Sequence, residues 1–594
     1  METIQGLHRT NYCGQLRAKN IGEEVTLMGW AQTTRDLGSL CFIDIRDRTG
    51  ISQLVFDKEK SADLYEKAKT IKQEYVIAAV GKVEKRSSEN PDLPTGEVEV
   101  LCQELRLLSQ SQTPPIYIKD DDNAKEEIRL KYRYLDLRKS KLQEMLSARA
   151  EITRLFRNFL HQEGFIEVET PFLGKPTPEG ARDYLVPSRM NPGHFYALPQ
   201  SPQLMKQLLM IGGTDRYYQV ARCFRDEDLR ANRQPEFTQV DLEMSFVTMD
   251  DVMDVNERLM VYVFKEFLGV DLQRPFPRMT YKDAMENYGT DKPDLRYGFQ
   301  IKNVDDLGKS MDFPLFTDGL KEGKSIYAIN FNGLSSAYTR KGLDKLTTYA
   351  KGIGASNLLW ARKEDGEIKS SFNKYLNAET EKKLHDLLDL QDGDLALIMV
   401  EEKAKALELM GLLRVYVASE NLTFDPKDFK VTWIVDFPMF TWSEEEGRFV
   451  AEHHPFTMPL EEDLALLATE PEKVRAQAYD IVINGDERGG GSIRIHDPKL
   501  QHQIFELLKL TPEDISNRFG FFLEALKYGA PPHGGIAYGL DRFIMMLINR
   551  TSIKDVIAFP KTQMASDLMM EAPTTVTKAQ LDELHLNILG IKKE

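Results

Sequence analysis

Short segments that alternate between apolar and polar residues run through the first 108 positions. They are VTLMGWAQT, SLCFIDIRDR, GISQLVF, YVIAAVGKV and GEVEVLCQEL. A period of two is typical of strands that bury one face, and the glycine-containing turns between the segments favour tight connections. Several such strands in a row predict a small β-barrel over residues 1–108.

The pattern then changes from strand to loop and from loop to helix. Residues 109–140 contain Pro114, Pro115 and an acidic tip, which is typical of a linker or hinge. From Glu127 the chain is basic with helical spacing (RLKYRYLDLRKSKLQEMLSARAEITRLFRNFL). This helix leads into FLHQEGFIEVETP at residues 159–171, which predicts a helix end, a turn at Gly164 and an alternating strand closed by a proline.

A strand, a charged loop and a second strand follow. Residues 217–224 (YYQVARCF) predict a buried strand, residues 224–236 (FRDEDLRANRQPE) a loop, and residues 237–246 (FTQVDLEMSF) a returning strand. Arg225 stands at the mouth of this loop. A guanidinium in that position can bind a phosphate through two parallel hydrogen bonds.

A second arginine precedes a helix near the other end of the chain. Residues 535–542 (GIAYGLDR) lead into FIMMLINR, whose apolar spacing is helical, so Arg542 is predicted near a helix N-terminus. The helix dipole and the free amide groups favour an anion there. A surface ion pair is the plainer interpretation of either arginine taken alone.

Composition narrows the class of protein. A chain of 594 residues with 42% apolar and 29% charged residues is too long for one core, so several domains are expected. No apolar run approaches the roughly 18 residues of a membrane span, and the N-terminus lacks a signal core, so we expect a cytoplasmic protein without a membrane partner. The four cysteines are scattered, which predicts neither disulfides nor a zinc site. The net charge of −16 argues against sequence-blind DNA or RNA binding, although a local basic surface stays possible.

The loop with Arg225, the segment with Arg542 and residues 159–171 resemble motifs 2, 3 and 1 of the class II aminoacyl-tRNA synthetases. HIGH-like and KMSKS-like sequences of the class I enzymes and a GxxxxGK[ST] phosphate loop are all absent from the chain. The resemblance implies an α+β multidomain fold, with an N-terminal OB-fold barrel and an antiparallel sheet core flanked by helices. The implied domains are the anticodon-binding barrel (1–108), the hinge (109–140), the two catalytic parts (141–290 and 422–562), an inserted α+β domain (291–421) and a C-terminal extension (563–594).

Four further segments resemble the bacterial aspartyl-tRNA synthetases. They are PEGARDYLVPSR (178–189), ALPQSPQLMKQ (197–207), AEHHPFT (451–457) and INGDERGGGSIRIHD (483–497). The resemblance implies that L-aspartate is activated with ATP and transferred to tRNA-Asp by a homodimer that uses Mg²⁺ but no zinc or organic cofactor. Aspartate carries two carboxylates and one ammonium, so a selective pocket needs at least two cationic groups and one anionic group. The substrate carboxylate is itself the nucleophile, so no general base is needed.

The resemblance also implies roles for individual residues. Arg225 and Arg542 are the catalytic residues, which are expected to bind the α- and γ-phosphates of ATP. The aspartate site is expected to comprise Glu179, Ser201, Gln203, Lys206, Arg225, Asp241, His453 and Arg494, with either His453 or His454 facing the substrate. The ATP site is expected to comprise Arg225, Asp226, Glu227, Gln234, Glu487, Gly539, Leu540, Asp541 and Arg542, with Asp480 and Glu487 as oxygen ligands for Mg²⁺. The anticodon is expected to contact Arg35, Leu37, Phe42 and Gln53.

Plainer interpretations exist for several of these residues. Without the resemblance, Lys206 is equally well a solvated helix lysine, the two histidines a core pair, and Asp480 and Glu487 solvated acids among 93 carboxylates. Phe42 alone is more often a core residue, although Arg35 and Arg46 nearby favour a platform on which a base can stack.

Three other functions compete with this prediction. One is a sister ligase for asparagine or lysine, of which the asparagine enzyme is expected to lack the large insertion and the pocket segments QSPQLMKQ and GSIRIHD. Another is a non-catalytic paralogue that binds tRNA, but such a protein is expected to lose one of Arg225, Glu487 and Arg542. The last is a ligase that charges both tRNA-Asp and tRNA-Asn. Non-discriminating relatives tend to carry a histidine where this chain has Leu37, so we favour an enzyme specific for tRNA-Asp.

Overall fold

The computed structural model describes residues 2–176, 180–227 and 232–589. The chain forms two compact units. The first contains residues 1–152, 228–235 and 544–594, and the second contains residues 153–227 and 236–543. No helix among the described residues is long and apolar enough to cross a membrane.

The first unit begins with a closed five-stranded barrel in the order β1-β2-β3-β5-β4. Its elements are β1 (Glu24–Asp36), β2 (Leu40–Asp47), β3 (Gly50–Asp57), α1 (Ala62–Lys69), β4 (Val76–Lys85) and β5 (Val98–Ser109). Alternate residues such as Ile43, Leu54 and Ile77 point inward and are fully buried, as the period-two pattern predicts. The barrel predicted from the sequence is therefore confirmed.

The basic segment after the hinge forms broken helices rather than one continuous helix. These are α2 (Glu126–Lys131), α3 (Arg133–Asp136) and α4 (Ser140–Gln162). Arg133 stabilises the break, because its buried guanidinium bonds to Asp136 and to the main-chain carbonyls of Lys554, Ile557 and Ala558. Buried charge that is paired and hydrogen-bonded in this way fixes the geometry of the segment.

The second unit is built on an eight-stranded sheet in the order β11-β17-β20-β21-β22-β10-β9-β6. The inner pairs are antiparallel, while the outermost pair at each edge is parallel. The elements that lead into it are β6 (Ile166–Glu167), β7 (Leu185–Pro187), β8 (Phe195–Ala197), α5 (Gln203–Ile211), β9 (Arg216–Phe224), β10 (Glu236–Ser245), α6 (Met249–Leu268), β11 (Arg278–Thr280) and α7 (Tyr281–Tyr288). The strand predicted after Gly164 is confirmed only as the two-residue β6, because it pairs with β9 alone at the sheet edge.

A separate five-stranded sheet in the order β12-β13-β16-β14-β15 occupies most of the predicted insertion. Its elements are β12 (Ile301–Asn303), α8 (Asp305–Lys309), α9 (Pro314–Lys321), β13 (Ser325–Phe331), α10 (Arg340–Gly352), β14 (Leu359–Glu364), β15 (Glu367–Ser370), α11 (Ala378–Leu388), β16 (Leu395–Glu401) and α12 (Lys403–Asn421). One apolar cluster includes residues of α10 and α12, and another includes residues of α8, α9 and α11. The insertion thus has its own core.

The chain then returns to the eight-stranded sheet. The elements are β17 (Val431–Val435), β18 (Phe440–Ser443), β19 (Arg448–Ala451), β20 (Ala478–Ile483), β21 (Asp486–Ile493), α13 (Pro498–Leu507), α14 (Pro512–Leu526), β22 (His533–Gly539) and α15 (Leu540–Leu547). In the C-terminal extension the structure forms α16 (Lys578–Glu583) and loops. Sheet strands contributed from both sides of the insertion make the α+β fold that the sequence predicted.

Candidate active site

A cavity of about 320 Å³ lies in the second unit against the central strands of the eight-stranded sheet. Side chains from β10, β20, β21 and α5 line it, together with the loop that contains the two histidines. Its lining residues are Ser201, Gln203, Lys206, Arg225, Gln239, Asp241, His453, His454, Pro455, Phe456, Asp480, Glu487, Gly490, Gly491, Ser492, Arg494 and Ala537. Predicted aspartate-site and metal-site residues therefore meet in one cavity.

Strand β10 supplies the acidic side of the cavity. Gln239, Asp241 and Glu243 alternate along the strand and so project from the same face of the sheet. Lys206 reaches them from α5, with its Nζ 2.6 Å from Oδ1 of Asp241 and 3.2 Å from Oε2 of Glu243. The Lys206 side chain is only 2% exposed, so it is a buried charge in a specific pair and not a solvated helix lysine.

Arg494 closes this charge network from the end of β21. Its Nε lies 2.9 Å from Oε1 of Glu243, and its Nη1 donates to the Ser492 hydroxyl at 2.6 Å. Burial acts to raise the pKa of Glu243, but Arg494 and Lys206 outweigh burial and hold this pKa at about 2. Glu243 is therefore ionised and joins the two cations that were predicted to bind the substrate side chain.

Three buried polar atoms of the residues that line the cavity have no hydrogen-bond partner among the described residues. They are Oδ2 of Asp241, Nε2 of Gln203 and Nε of Arg225. Buried polar groups are ordinarily paired, so such atoms are where a polar ligand is expected to bind. Burial raises the pKa of Asp241, which the ion pair with Lys206 opposes. An ammonium group beside Oδ2 would stabilise the ionised carboxylate further.

The two histidines have different neighbours in the cavity. Nε2 of His454 lies 2.7 Å from Nη1 of Arg494, while Nδ1 lies 3.4 Å from the Thr457 hydroxyl. Burial and then Arg494 depress the pKa of His454 well below its usual value, so the ring is neutral and accepts at Nε2. His453 packs edge-on against Phe437 and its Nε2 lies 4.0 Å from Oδ1 of Asp480. Both histidines line the cavity, His454 beside Arg494 and His453 beside Asp480.

Asp480 and Glu487 lie on the hairpin of β20 and β21. The hairpin turns at Asn484 and Gly485, which both have positive φ, as an Asn-Gly two-residue turn requires. A β-bulge follows, in which Val482 pairs with Glu487 and Ile481 pairs with Gly489. The bulge changes the alternation so that Glu487 faces the cavity with residues 490, 492 and 494.

A glycine leaves room between the two predicted metal carboxylates. A Cβ atom on Gly490 would lie 2.6 Å from Oδ1 of Asp480 and 3.4 Å from Oε1 of Glu487. Burial and then Glu487 raise the pKa of Asp480 well above its ordinary value. A cation between these oxygens would relieve that repulsion. The described residues contain no group of three or more His, Cys, Asp or Glu side chains arranged to hold a metal by themselves.

The predicted phosphate-binding arginines lie on different elements. Arg225 follows β9 and lines the cavity, with its guanidinium 5.0 Å from the ring centre of Phe237. Its Nε has no hydrogen-bond partner in the part of the chain that the structure describes. Arg542 is the third residue of α15, and its Nη2 lies 3.5 Å from Oδ1 of Asp486. Arg542 is not among the residues that line the cavity, although its position in the first turn of a helix agrees with the sequence prediction.

Other predicted ATP-site residues have structural contacts of their own. Oδ2 of Asp541 accepts a bond from the main-chain amide of Thr238 at 2.8 Å, and Leu540 is buried at the start of α15. Gly539 pairs with Gln239 at the end of β22. Asp226 forms an isolated bridge with Arg182. These residues lie outside the cavity lining, as does Glu227.

Two other predicted site residues are not among those that line the cavity: Gln234, which belongs to the first unit, and Glu179, which the structure does not describe. The Gln234 carboxamide pairs with the main chain of Lys561, donating to its carbonyl at 3.1 Å and accepting from its amide at 2.7 Å. Both polar atoms of the Gln234 side chain are therefore hydrogen-bonded to the main chain of residue 561. Glu179, which was predicted in the aspartate site, lies outside the described residues.

The predicted anticodon residues share the outer face of the barrel. Arg35 lies opposite Phe42 across β1 and β2, and its Nη2 is 3.2 Å from Oε1 of Gln53. Leu37 lies in the turn between these strands and is 72% exposed. Phe42 is partly buried and does not belong to the barrel core cluster. Arg46 does not extend this face, because it is buried and both oxygens of Glu74 accept from it at 2.8 Å.

Sequence reasoning missed several residues in and next to the cavity, above all Glu243, which does not line the cavity but pairs with Lys206 and Arg494. The period-two alternation of β10 could have found it, because Gln239 and Glu243 flank Asp241 at two-residue intervals. Ser492 was missed as well, although it precedes Arg494 by two residues on β21. No local signal predicted Ala537.

Comparison with known families agrees with this architecture. Residues 125–563 match the family model described as "tRNA synthetases class II (D, K and N)". Residues 25–108 match the model described as "OB-fold nucleic acid binding domain". The first match covers well over half of the chain, so the protein belongs to the class II tRNA synthetase family that contains the D, K and N enzymes.

Individual relatives are similar over the whole chain. An "Aspartate--tRNA ligase" of Clostridium perfringens is 53% identical over 594 residues, which cover 100% of this chain and 99% of the relative. An "Aspartate--tRNA(Asp/Asn) ligase" of Caldanaerobacter subterraneus is 53% identical over 99% of both chains. A solved aspartyl-tRNA synthetase of Entamoeba histolytica has a TM-score of 0.58 at 19% identity, with coverage of 94% of this chain and 92% of the other. That structural likeness concerns the fold alone.

Proposed function

We propose that this protein activates L-aspartate with ATP and transfers the aspartyl group to the 3′-terminal ribose of tRNA-Asp. The observation that carries the proposal is the single cavity in which Lys206, Asp241 and Arg494 meet Asp480 and Glu487. Selection of aspartate needs cationic groups, and phosphate chemistry needs a metal-binding acidic edge beside them. The full-length relatives named as aspartate–tRNA ligases support the same activity.

The charge balance of the cavity suits aspartate. The four buried groups Lys206, Arg494, Asp241 and Glu243 cancel, so the site can accept a ligand without a large excess of one charge. In the proposed complex, the ammonium binds at Oδ2 of Asp241, and the side-chain carboxylate shares the donors of Lys206 and Arg494. Asparagine would present an uncharged amide whose NH₂ group faces these cationic donors, so the charge-assisted hydrogen bonds that a carboxylate accepts would be lost, which disfavours asparagine strongly.

The nucleotide is proposed to bind beside Arg225 and the acidic hairpin. Asp480 and Glu487 would hold Mg²⁺ together with phosphate oxygens, and the room at Gly490 fits such an ion. Mg²⁺ keeps few protein ligands and completes its shell with phosphates and water, so two carboxylates suffice. When bound, the ion neutralises part of the triphosphate charge.

The chemistry then needs alignment more than acid–base catalysis. An oxygen of the substrate α-carboxylate forms a bond to the α-phosphorus of ATP, and the bond from that phosphorus to the bridging oxygen breaks, so pyrophosphate leaves with the bond electrons. Arg225 stabilises charge on the α-phosphate during this step, and Arg542 binds the terminal phosphate. The terminal ribose hydroxyl of tRNA next attacks the acyl carbon, loses its proton, and AMP leaves.

The choice of tRNA is proposed to lie at the barrel. An apolar, exposed Leu37 offers no side-chain hydrogen bond to an alternative anticodon base, so we favour tRNA-Asp over a dual tRNA-Asp and tRNA-Asn specificity. The dual specificity is the second candidate, because one similar relative is named for both tRNAs. Acylation of purified tRNA-Asp and tRNA-Asn transcripts, each with labelled aspartate and ATP, tests both ideas. A large preference in kcat/KM for tRNA-Asp is expected; equal values would establish the second candidate, and no acylation of either would reject the function.

A two-fold homodimer is the proposed assembly. Within the described ranges, the edge strand β6 pairs on one side only, and Ile166, Phe172 and Leu173 near it are exposed apolar side chains. An unpaired edge with an apolar patch is usually covered, and closed two-fold dimers are the commonest assembly. Light scattering is expected to give twice the 68.1 kDa chain mass, whereas a single-chain mass at micromolar concentration would refute the dimer.

A further inference from the structure

A second charged cluster lies outside the cavity, on the hairpin that carries Glu487. Arg488 is the extra residue of the β-bulge, and only 9% of its side chain is exposed. Its Nη2 lies 2.6 Å from Oδ2 of Asp486, and its Nη1 donates to the main-chain carbonyl of Arg542 at 3.0 Å. The Nε of Arg488 has no partner among the described residues. This arginine therefore ties the hairpin to the first turn of α15.

Asp486 divides its carboxylate unequally between two arginines. Oδ2 is 2.6 Å from Arg488, which is a short charge-assisted hydrogen bond, whereas Oδ1 is 3.5 Å from Nη2 of Arg542. The Arg542 side chain stays 38% exposed. The carboxylate is thus committed mainly to Arg488, and the guanidinium of Arg542 stays available to another anion.

The charges explain why Arg488 matters for this arrangement. The guanidinium of Arg488 is a cation at neutral pH, because arginine side chains stay protonated in proteins. Without that cation, both oxygens of Asp486 would be free to form a bidentate pair with Arg542. A protein carboxylate paired in this way competes directly with a phosphate for the same guanidinium.

We propose that Arg488 is a positioning residue, which engages Asp486 and so holds the guanidinium of Arg542 available to the terminal phosphate of ATP. Arg488 acts in two ways: it engages Asp486, and it anchors the main-chain carbonyl of Arg542. The inference rests on the proposed function, because it assigns a role to the neighbours of an arginine that binds ATP there.

A double-mutant cycle tests the proposal through the KM for ATP in aspartate-dependent ATP–pyrophosphate exchange. Arg488→Met frees Asp486 to capture Arg542, so the KM for ATP is expected to rise roughly fivefold, with the KM for aspartate unchanged. Asp486→Asn removes the competing charge, and the KM for ATP is expected to stay within about twofold of wild type. The double variant is expected to recover most of the loss in Arg488→Met, and Arg488→Lys is expected to lie between.

Recovery of the KM for ATP in the double variant distinguishes a positioning role of Arg488 from a purely structural one. If Arg488 only stabilised the hairpin, the double variant would bind ATP no better than Arg488→Met, and that result would overturn the proposal. An unchanged KM for ATP in Arg488→Met would also overturn it. The Mg²⁺ concentration for half-maximal exchange is measured in every variant, because Glu487 lies between residues 486 and 488. If high Mg²⁺ restores the KM for ATP of Arg488→Met, the effect belongs to the metal site and the proposal is overturned. Absence of exchange in the wild-type protein would reject the proposed function itself, which is a separate result.

Discussion

The cavity of the second unit and the outer face of the barrel use charged side chains in opposite ways. Lys206, Glu243 and Arg494 are at most 2% exposed, and each is paired at hydrogen-bonding distance. On the barrel, the pair of Arg35 with Asp44 lies at 3.1 Å, with side-chain exposures of 53% and 21%. These three buried charges are therefore paired within the protein, whereas the barrel pair is open to solvent.

The difference bears on what each region can do. A buried charge that loses its partner is destabilised by several kcal/mol, so the cavity keeps one geometry and discriminates sharply. An exposed pair contributes about 1 kcal/mol or less, so Arg35 can leave Asp44 for a phosphate or a base at little cost. The comparison predicts large effects of substitution in the cavity and small, salt-sensitive effects on the barrel.

The largest effect is expected from the two arginines that are proposed to bind phosphates of ATP. Arg225→Ala and Arg542→Ala should each abolish adenylate formation, because removal of a group that stabilises developing charge typically lowers the rate by about 10²–10³-fold or more. Both side chains are partly exposed, so folding should persist. Pyrophosphate exchange measures the loss of adenylate formation, and circular dichroism checks that the variants stay folded. Near-normal exchange by either variant would contradict the proposed roles.

The next effect concerns the stability of the buried network. The pKa of Glu243 is about 2 in the folded protein against an ordinary 4.5, so its ionised form stabilises the fold above pH 4.5 and loses that contribution as the pH falls towards 2. Glu243→Gln should lower the free energy of unfolding at pH 7 by roughly 3 kcal/mol, and the difference from wild type should shrink below pH 4.5.

Urea unfolding at a series of pH values measures this difference. Glu236→Gln is the matched control, because Glu236 lies on the same strand but pairs with Arg222 at about 30% exposure. The control should change stability by less than about 1 kcal/mol. Equal losses in the two variants would show that burial does not distinguish them.

The smallest effect is expected on the barrel. Arg35→Ala should raise the KM for tRNA roughly three- to tenfold and leave pyrophosphate exchange unchanged, because Arg35 lies on the barrel and not in the cavity. The increase should fall at high salt. Arg106→Ala removes the same charge from β5 and serves as the control in acylation assays. A loss of exchange in Arg35→Ala would remove the distinction between the two regions.

The sequence predicted more of the fold than of the side-chain network. The strands on either side of the Arg225 loop and the helix that contains Arg542 follow from local periodicity, and the structure confirms them. The bulge that turns Glu487 into the cavity depends on the register of β20 against β21, which local periodicity does not encode. The hydrogen bond between Gln234 and the main chain of residue 561 joins positions 327 residues apart, so no local sequence pattern predicts it.

We propose that the cavity selects aspartate before any tRNA is bound. The decisive measurement is ATP–pyrophosphate exchange without tRNA, carried out with each of the twenty amino acids in turn. Aspartate alone is expected to support rapid exchange, with asparagine weaker by orders of magnitude, because its uncharged amide cannot accept the charge-assisted hydrogen bonds that Lys206 and Arg494 would donate to a carboxylate. Exchange driven equally well by asparagine or lysine, or by no amino acid at all, would contradict it.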